Sequence, residues 1–217
     1  MIDNPLNEGI IALHAGCSYV LMPGWINVDM CEIPYEPNND NRKEFIQANL
    51  GVEWPFNTCF DYIYSEHLIE HLTFNEFKNY IQEAFRCLRP GGVIRTAWPS
   101  LEFNLDLYYH PEKYKEYIED HCYRFHPSLF EEWESIENIP PIFIVNDNCR
   151  MWGHQIMYDV PTVIKLFNKY GFENCHQVEY GKSDLKIFDG IEHDNKRGER
   201  FNKLETVVIE CTKPLDV

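Results

Sequence analysis

Several chemistries are excluded by what this chain of 217 residues lacks. Basic side chains are scarce: 19 Lys and Arg stand against 35 Asp and Glu, a formal charge of −16. A surface of that sign repels phosphate backbones, so nucleic acid is excluded as a partner, and anionic membranes are disfavoured for the same reason. No apolar run is long enough to span a bilayer and no signal peptide is visible, so no membrane insertion is expected. Eight cysteines are scattered without a single C-x-x-C, which argues against a zinc knuckle. Free thiols in a reducing compartment follow, and the cytoplasm is the expected location. Repeats and low-complexity tracts are missing. So is the dinucleotide fingerprint G-x-G-x-x-G: only Gly16 fits, and Ser18 stands where a second glycine is expected. Asp29 follows Gly16 by thirteen residues, sooner than the roughly 20 of that fingerprint, which leaves little room for a helix and argues against NAD.

What is present reads as one globular domain over residues 1–217, with 44% apolar residues and a high aromatic share of 15%. Ile10 to Leu13 form a short apolar run that ends in small residues, Ala15-Gly16-Cys17-Ser18. A second run ends in Asp29. In an open α/β sheet this pattern holds a nucleoside: small residues admit the ligand to the backbone, and a carboxylate on the next strand tip accepts from ribose hydroxyls. An ordinary strand-turn-strand with a tight glycine fits this segment equally well.

Phe45 to Leu50 suggests a short strand ending at Asn49, and Phe60 to Tyr64 a buried strand. Thr73-Phe-Asn-Glu76 is a capping box, and Phe74, Phe77, Ile81, Ala84, Phe85 and Leu88 then share a helix face up to Pro90-Gly91-Gly92. Val93 to Trp98 is the next strand. The recurring order strand, helix, strand predicts a parallel sheet with right-handed crossovers. Residues 31–43 read as loop. Residues 101–150 break the rhythm with five Tyr, a Trp and three His. They are expected to cover the carboxyl ends of the strands, the competing reading being an extra packing layer. Asp159 caps a further helix ending at Gly171, and strands near 174–180 and 205–212 close the chain, joined by a polar connection.

Three motifs, taken in order, resemble a class I S-adenosylmethionine-dependent methyltransferase. They are Leu13-His-Ala-Gly-Cys-Ser with Gly24-Trp-Ile-Asn-Val-Asp29, then Phe60-Asp-Tyr-Ile-Tyr-Ser-Glu-His-Leu-Ile-Glu-His71, then Cys87-Leu-Arg-Pro-Gly-Gly-Val-Ile-Arg95. The resemblance implies a Rossmann-like α/β fold: seven strands, mostly parallel, the last antiparallel, with the aromatic-rich insertion covering the active site. The cofactor would be S-adenosyl-L-methionine and the product S-adenosyl-L-homocysteine. Cofactor-binding residues would be His14, Ala15, Gly16, Cys17, Asp29, Asn49, Leu50, Ser65 and Glu66. Among these, Asp29 would take the ribose hydroxyls, Asn49 and Leu50 would border the adenine, and Ser65 would border the methionyl end. The compact first motif resembles a subgroup associated with glycan modification. It implies O-methylation of a sugar hydroxyl, for instance on a deoxyhexose such as rhamnose, and a longer polypeptide with a fused or associated glycosyltransferase. The alternatives are a non-sugar small-molecule acceptor and a non-catalytic binding domain of the same fold.

A sugar hydroxyl is a poor nucleophile and needs a base as the new bond forms. His67, just after the fourth strand, is the expected base, and His154 the second catalytic candidate. His67, Glu70 and His71 also form H-x-x-E-H, predicted to lie on one helix face, where a divalent ion would find ligands together with His154. Related metal-using O-methyltransferases carry a glutamate where His67 stands, so no metal is expected here. His110, His121 and His126 are weaker candidates.

Overall fold

The computed structural model describes residues 9–32, 45–57, 60–192 and 199–216, and the loop expected at 31–43 falls mostly outside them. Seven strands form one sheet: β1 (Ala12–Ala15), β2 (Ile26–Asp29), β3 (Phe45–Gln47), β4 (Phe60–Glu66), β5 (Leu88–Pro99), β6 (Glu173–Val178) and β7 (Thr206–Thr212). Their order is β3-β2-β1-β4-β5-β7-β6. β1 to β5 pair in parallel, while β7 runs antiparallel to both β5 and β6. The predicted mostly parallel seven-stranded sheet with an antiparallel last strand is therefore present. The order places the tips of β1 and β4 side by side at the sheet's centre, where the direction of strand addition reverses and ligands bind.

The inner strands are buried on both faces. Leu13, Ala15 and Ile63 pack with helices α1 (Phe74–Cys87) and α6 (Val160–Lys169) in the main core, and Ala12 and Tyr64 pack on the opposite side with Trp25 and Phe188. Double burial explains why β1 is a continuous run and not an alternating one. The capping box forms: Thr73 Oγ1 accepts from Glu76 N–H, and Glu76 reaches back to Thr73 N–H. Phe77, Ile81 and Ala84 are buried as expected, and Tyr80 joins them. Phe74 does not; it is half-exposed at the first helical position under the Lys78 ammonium. The helix ends at Cys87, before Pro90, because Leu88 is already extended and starts β5.

The polar connection after β6 carries more structure than its composition suggests. Phe188 is fully buried, and helix α7 (Glu199–Glu205) leads into β7. Arg95, wholly buried in β5, donates to Glu192 at 2.6 Å, to Glu210 at 2.6 Å and to the Lys182 carbonyl at 3.0 Å. One buried cation thus ties the connection to two strands. Burial holds the Glu192 carboxyl above its ordinary value even though Arg95 opposes that shift.

Residues 101–153 fold as helices α2 (Leu101–Tyr109), α3 (Lys115–Phe125), α4 (Ser128–Trp133) and α5 (Ile142–Arg150), with short 3-10 turns between them. Phe103, Leu107, Tyr117, Ile118, Cys122 and Ile144 give this insertion a core of its own. The segment is a packed layer, and one flank of it borders a cavity at the β4 tip.

Candidate active site

Gly16 turns the chain out of β1 with φ +71°, and Gly16 and Cys17 N–H both donate to the Val28 carbonyl, at 2.8 and 3.0 Å. Those amides are therefore spent on the turn. The space a side chain at Gly16 would need is held by Leu68, whose Cδ1 would lie 2.9 Å from an added Cβ. Ser18, where a glycine was expected, adopts the left-handed conformation with φ +46°. Its N–H donates to Asp29 Oδ2 at 2.8 Å, and Cys31 N–H donates to Asp29 Oδ1 at 2.9 Å. An ionised carboxylate has about four acceptor positions, so the oriented Asp29 keeps two for a ribose diol. The residues at this strand tip fit the nucleoside end of S-adenosylmethionine.

The other residues expected at the cofactor are placed less uniformly. Asn49 is exposed, and its Oδ1 accepts from Gly51 N–H at 2.8 Å, while Leu50 is buried beside it. His14 is buried, stacked on Tyr64 at 5.5 Å, with Nδ1 at 3.2 Å from Asn27 Oδ1. Ser65 is inside the sheet, donating to Thr96 Oγ1 at 3.3 Å, and Glu66 is nearly buried. Ala15 is buried in the core, and burial pushes the Cys17 thiol up to about 12, so it is no nucleophile.

β4 ends abruptly. His67 N–H continues the ladder to the Ala97 carbonyl at 3.0 Å, but His67 itself has φ +50°. A left-handed non-glycine residue is uncommon and sits where a chain must turn sharply. The turn drops Leu68 over Gly16 and starts a 3-10 turn over Ile69–His71. The predicted helix face for His67, Glu70 and His71 is thus corrected: α1 begins only at Phe74, after Leu72 goes extended and Thr73 caps it. The tight turn nevertheless brings the three side chains together.

Glu70 is wholly buried and organises them. Its Oε1 is 3.0 Å from His67 Nδ1, 4.0 Å from His71 Nε2 and 4.0 Å from His154 Nε2. His154 Nδ1–H donates to the Asn148 carbonyl at 2.7 Å, which leaves its Nε2 as the lone-pair nitrogen. His71 and His154 meet edge to face at 4.8 Å. Two backbone bonds join these segments: Gln155 and Ile156 N–H donate to the Glu70 carbonyl at 2.7 and 3.3 Å. Burial disfavours the charged form of His67, but the hydrogen bond to Glu70 and the charges of Glu70, Glu66 and Glu205 outweigh it and push His67 up to about 9. For His71 burial dominates and holds it below the usual histidine value.

A cavity of 340 Å³ opens beside this cluster, lined by His67, His71 and His154 from below and by Tyr117, Phe125 and Trp152 among others from the insertion. Trp152 is strained, with φ +57°, and packs on Phe125 at 5.4 Å. Tyr117 OH donates to Glu205 at 2.6 Å and accepts from Asn148 Nδ2 at 3.0 Å, and Asn148 Nδ2 also reaches Asn104 at 2.9 Å. His121 lines the same cavity, paired to Asp147 at 3.0 Å, whereas His110 is exposed outside it. Sequence reasoning reached His67, His154 and the aromatic character of the wall. It missed Asn104, Asn148 and Glu205, which carry no local motif.

Residues 24–96 match the model of a methyltransferase domain family. A sequence search of curated proteins returned no match. Among solved structures, one resembling the chain is a Haloferax volcanii methyltransferase candidate in complex with the Trm112 methyltransferase activator: TM-score 0.51, 14% identity, covering 98% of this chain and 86% of that one. A second is PKMT2 from Rickettsia typhi in complex with S-adenosylhomocysteine: TM-score 0.55, 10% identity, covering 99% of this chain and 51% of that one. A third is the magnesium protoporphyrin IX methyltransferase of Synechocystis PCC 6803 with the same product bound: TM-score 0.50, 8% identity, covering 94% of this chain and 74% of that one. The match to the methyltransferase domain family thus covers residues 24–96, and the seven-stranded fold built around it is that of these solved methyltransferases.

Proposed function

We propose that the enzyme methylates a hydroxyl of a sugar, within a glycan, held in the cavity between the β4 exit and the insertion. The observation that carries this reading is the lining: aromatic faces of Phe125 and Trp152 opposite the polar groups of His67, Asn104 and Asn148. Sugar rings present apolar C–H faces for stacking and hydroxyl edges for hydrogen bonds, and this wall offers both. His67, which turns the chain at the strand tip, lines the same cavity and is the base in this reading.

S-adenosylmethionine supplies an activated methyl on its sulfonium. Asp29, held by the N–H groups of Ser18 and Cys31, would take the ribose hydroxyls. His67 Nε2 would take the hydroxyl proton once the ring has lost its own, which the neighbouring carboxylates hold up to about 9, so transfer should rise with pH toward that value. The methyl would pass to the acceptor oxygen and the sulfonium would leave as a neutral thioether. Glu70 accepts from His67 Nδ1–H and stabilises the imidazolium that results. The Thr206 hydroxyl lies 3.4 Å from His67 Nε2, so an acceptor hydroxyl would share or displace that contact. The buried Tyr117 and half-buried Phe125 would limit water at that point.

The test is a screen of deoxyhexose and hexose glycosides for methyl transfer, with S-adenosylhomocysteine release as the readout. His67→Ala should lose most turnover on the accepted sugar with cofactor affinity nearly kept, because the base acts on the acceptor and not on the sulfonium. Wild-type rates in that variant would move the base role to His154, and transfer to non-sugar acceptors alone would reject the sugar reading.

A further inference from the structure

We propose that Glu70, His71 and His154 bind one divalent transition-metal ion at the floor of the acceptor cavity. One ligand atom from each of these residues lies within 4.8 Å of the others. Glu70 Oε1 is equidistant from the two histidine Nε2 atoms, at 4.0 Å. An ion with bonds of about 2.0–2.2 Å needs donors roughly 3–3.5 Å apart, so the two Glu70 pairs close by about 0.5–1 Å and the widest pair by at most about 2 Å to complete the site.

Two observations point to a missing cation. Glu70 is wholly buried, yet its Oε2 has no hydrogen-bond partner among the described residues. A buried carboxylate oxygen left bare is costly, and a divalent ion satisfies it directly. His154 is set as a ligand is set: the backbone carbonyl of Asn148 holds Nδ1–H and aims the Nε2 lone pair at the cluster. Two imidazoles and one carboxylate leave coordination positions open, and the cavity that both histidines line is where those positions face.

The sequence expectation of no metal rested on His67 standing where related metal-using enzymes carry glutamate. In the fold, His67 is bonded to Glu70 Oε1 and the third ligand comes from His154, 84 positions beyond Glu70 in the chain. Under the sugar reading above, the open positions would receive the acceptor oxygen and its neighbouring hydroxyl. Ion binding itself does not depend on that reading.

The chain is stripped with a chelator and titrated with Zn²⁺ by calorimetry and with Co²⁺ by visible absorption, with neither cofactor nor acceptor present. One equivalent is expected, with Co²⁺ giving the ligand-field bands of a nitrogen and oxygen site. His71→Ala and His154→Ala should each weaken binding by about 10–100-fold. His176→Ala, exposed on β6, should leave it unchanged, with S-adenosylhomocysteine binding as the check on folding. In the wild-type chain Zn²⁺ should protect His71, and not His176, from diethyl pyrocarbonate, read by peptide mass. No ion bound by the wild type, or binding indifferent to both alanine variants, overturns the site. Ion binding without sugar methylation overturns only the acceptor reading.

Discussion

Leu68 occupies the space that a side chain at Gly16 would enter, 2.9 Å from the position of its Cβ. The glycine of the first motif therefore serves contact between the β1 and β4 exits, besides any approach by the cofactor. Gly16→Ala meets two obstacles, the Leu68 contact and φ +71°. Denaturant unfolding should show a loss of about 1–3 kcal/mol. Adding Leu68→Ala should relieve the clash but leave the backbone term, so the double variant should recover less than it removes elsewhere. Full stability of Gly16→Ala alone would show that the turn is looser than described.

Asp29 holds two backbone N–H groups and is the expected partner of the ribose diol. Asp29→Ala should weaken S-adenosylhomocysteine binding by about 1–3 kcal/mol, measured by calorimetry. Asp29→Asn keeps one acceptor oxygen and should fall between. Unchanged affinity in both variants would remove Asp29 from the cofactor site.

Arg95 balances Glu192 and Glu210 in the sheet interior. Arg95→Met leaves two buried carboxylates facing each other and should cost about 3–5 kcal/mol by urea unfolding. Replacing Glu192 and Glu210 by Gln in the same variant should return much of that loss. A mild effect of Arg95→Met alone would mean that water reaches the triad.

Glu83 gives a dependence on acid with a defined sign. Its hydrogen bond from Arg86 holds the Glu83 carboxyl below the usual glutamate value, helped by the Trp54 N–H at 2.7 Å. A depressed folded value means stability present above the unfolded pKa of about 4.3 and lost as pH falls through the folded one. Glu83→Gln should lower the melting temperature at neutrality and converge with the wild type in acid, so that the acid limb below about pH 4.5 is flatter. An unaltered acid limb would place that stabilisation elsewhere.

The buried strands and their parallel pairing were legible because each is an apolar run closed by a turn or cap, and Thr73 and Asp159 cap their helices as the local sequence suggests. The tight β1–β2 connection was legible too, since the distance from Gly16 to Asp29 leaves no room for a helix. What escaped was set by long-range contact. Nothing local to Arg95 foretells a buried cation, because both of its carboxylates lie about a hundred residues further on. The helix face assumed for His67 and His71 failed because spacing cannot register a left-handed residue at His67. Asn148 and Glu205 reach the cavity only through the packing of α3, α5 and α7.

The two bonds from Gln155 and Ile156 to the Glu70 carbonyl have a consequence for how the enzyme can vary. They join the return from the insertion to the β4 exit, and the Asn148 carbonyl of α5 fixes the ring of His154. Under the proposed function, substitutions in α3 and α5 that spare Asn148 would reshape the mouth, and so which acceptor enters, while the floor keeps its spacing. On that proposal, drift in acceptor choice and constancy of chemistry would belong to different walls of the same cavity.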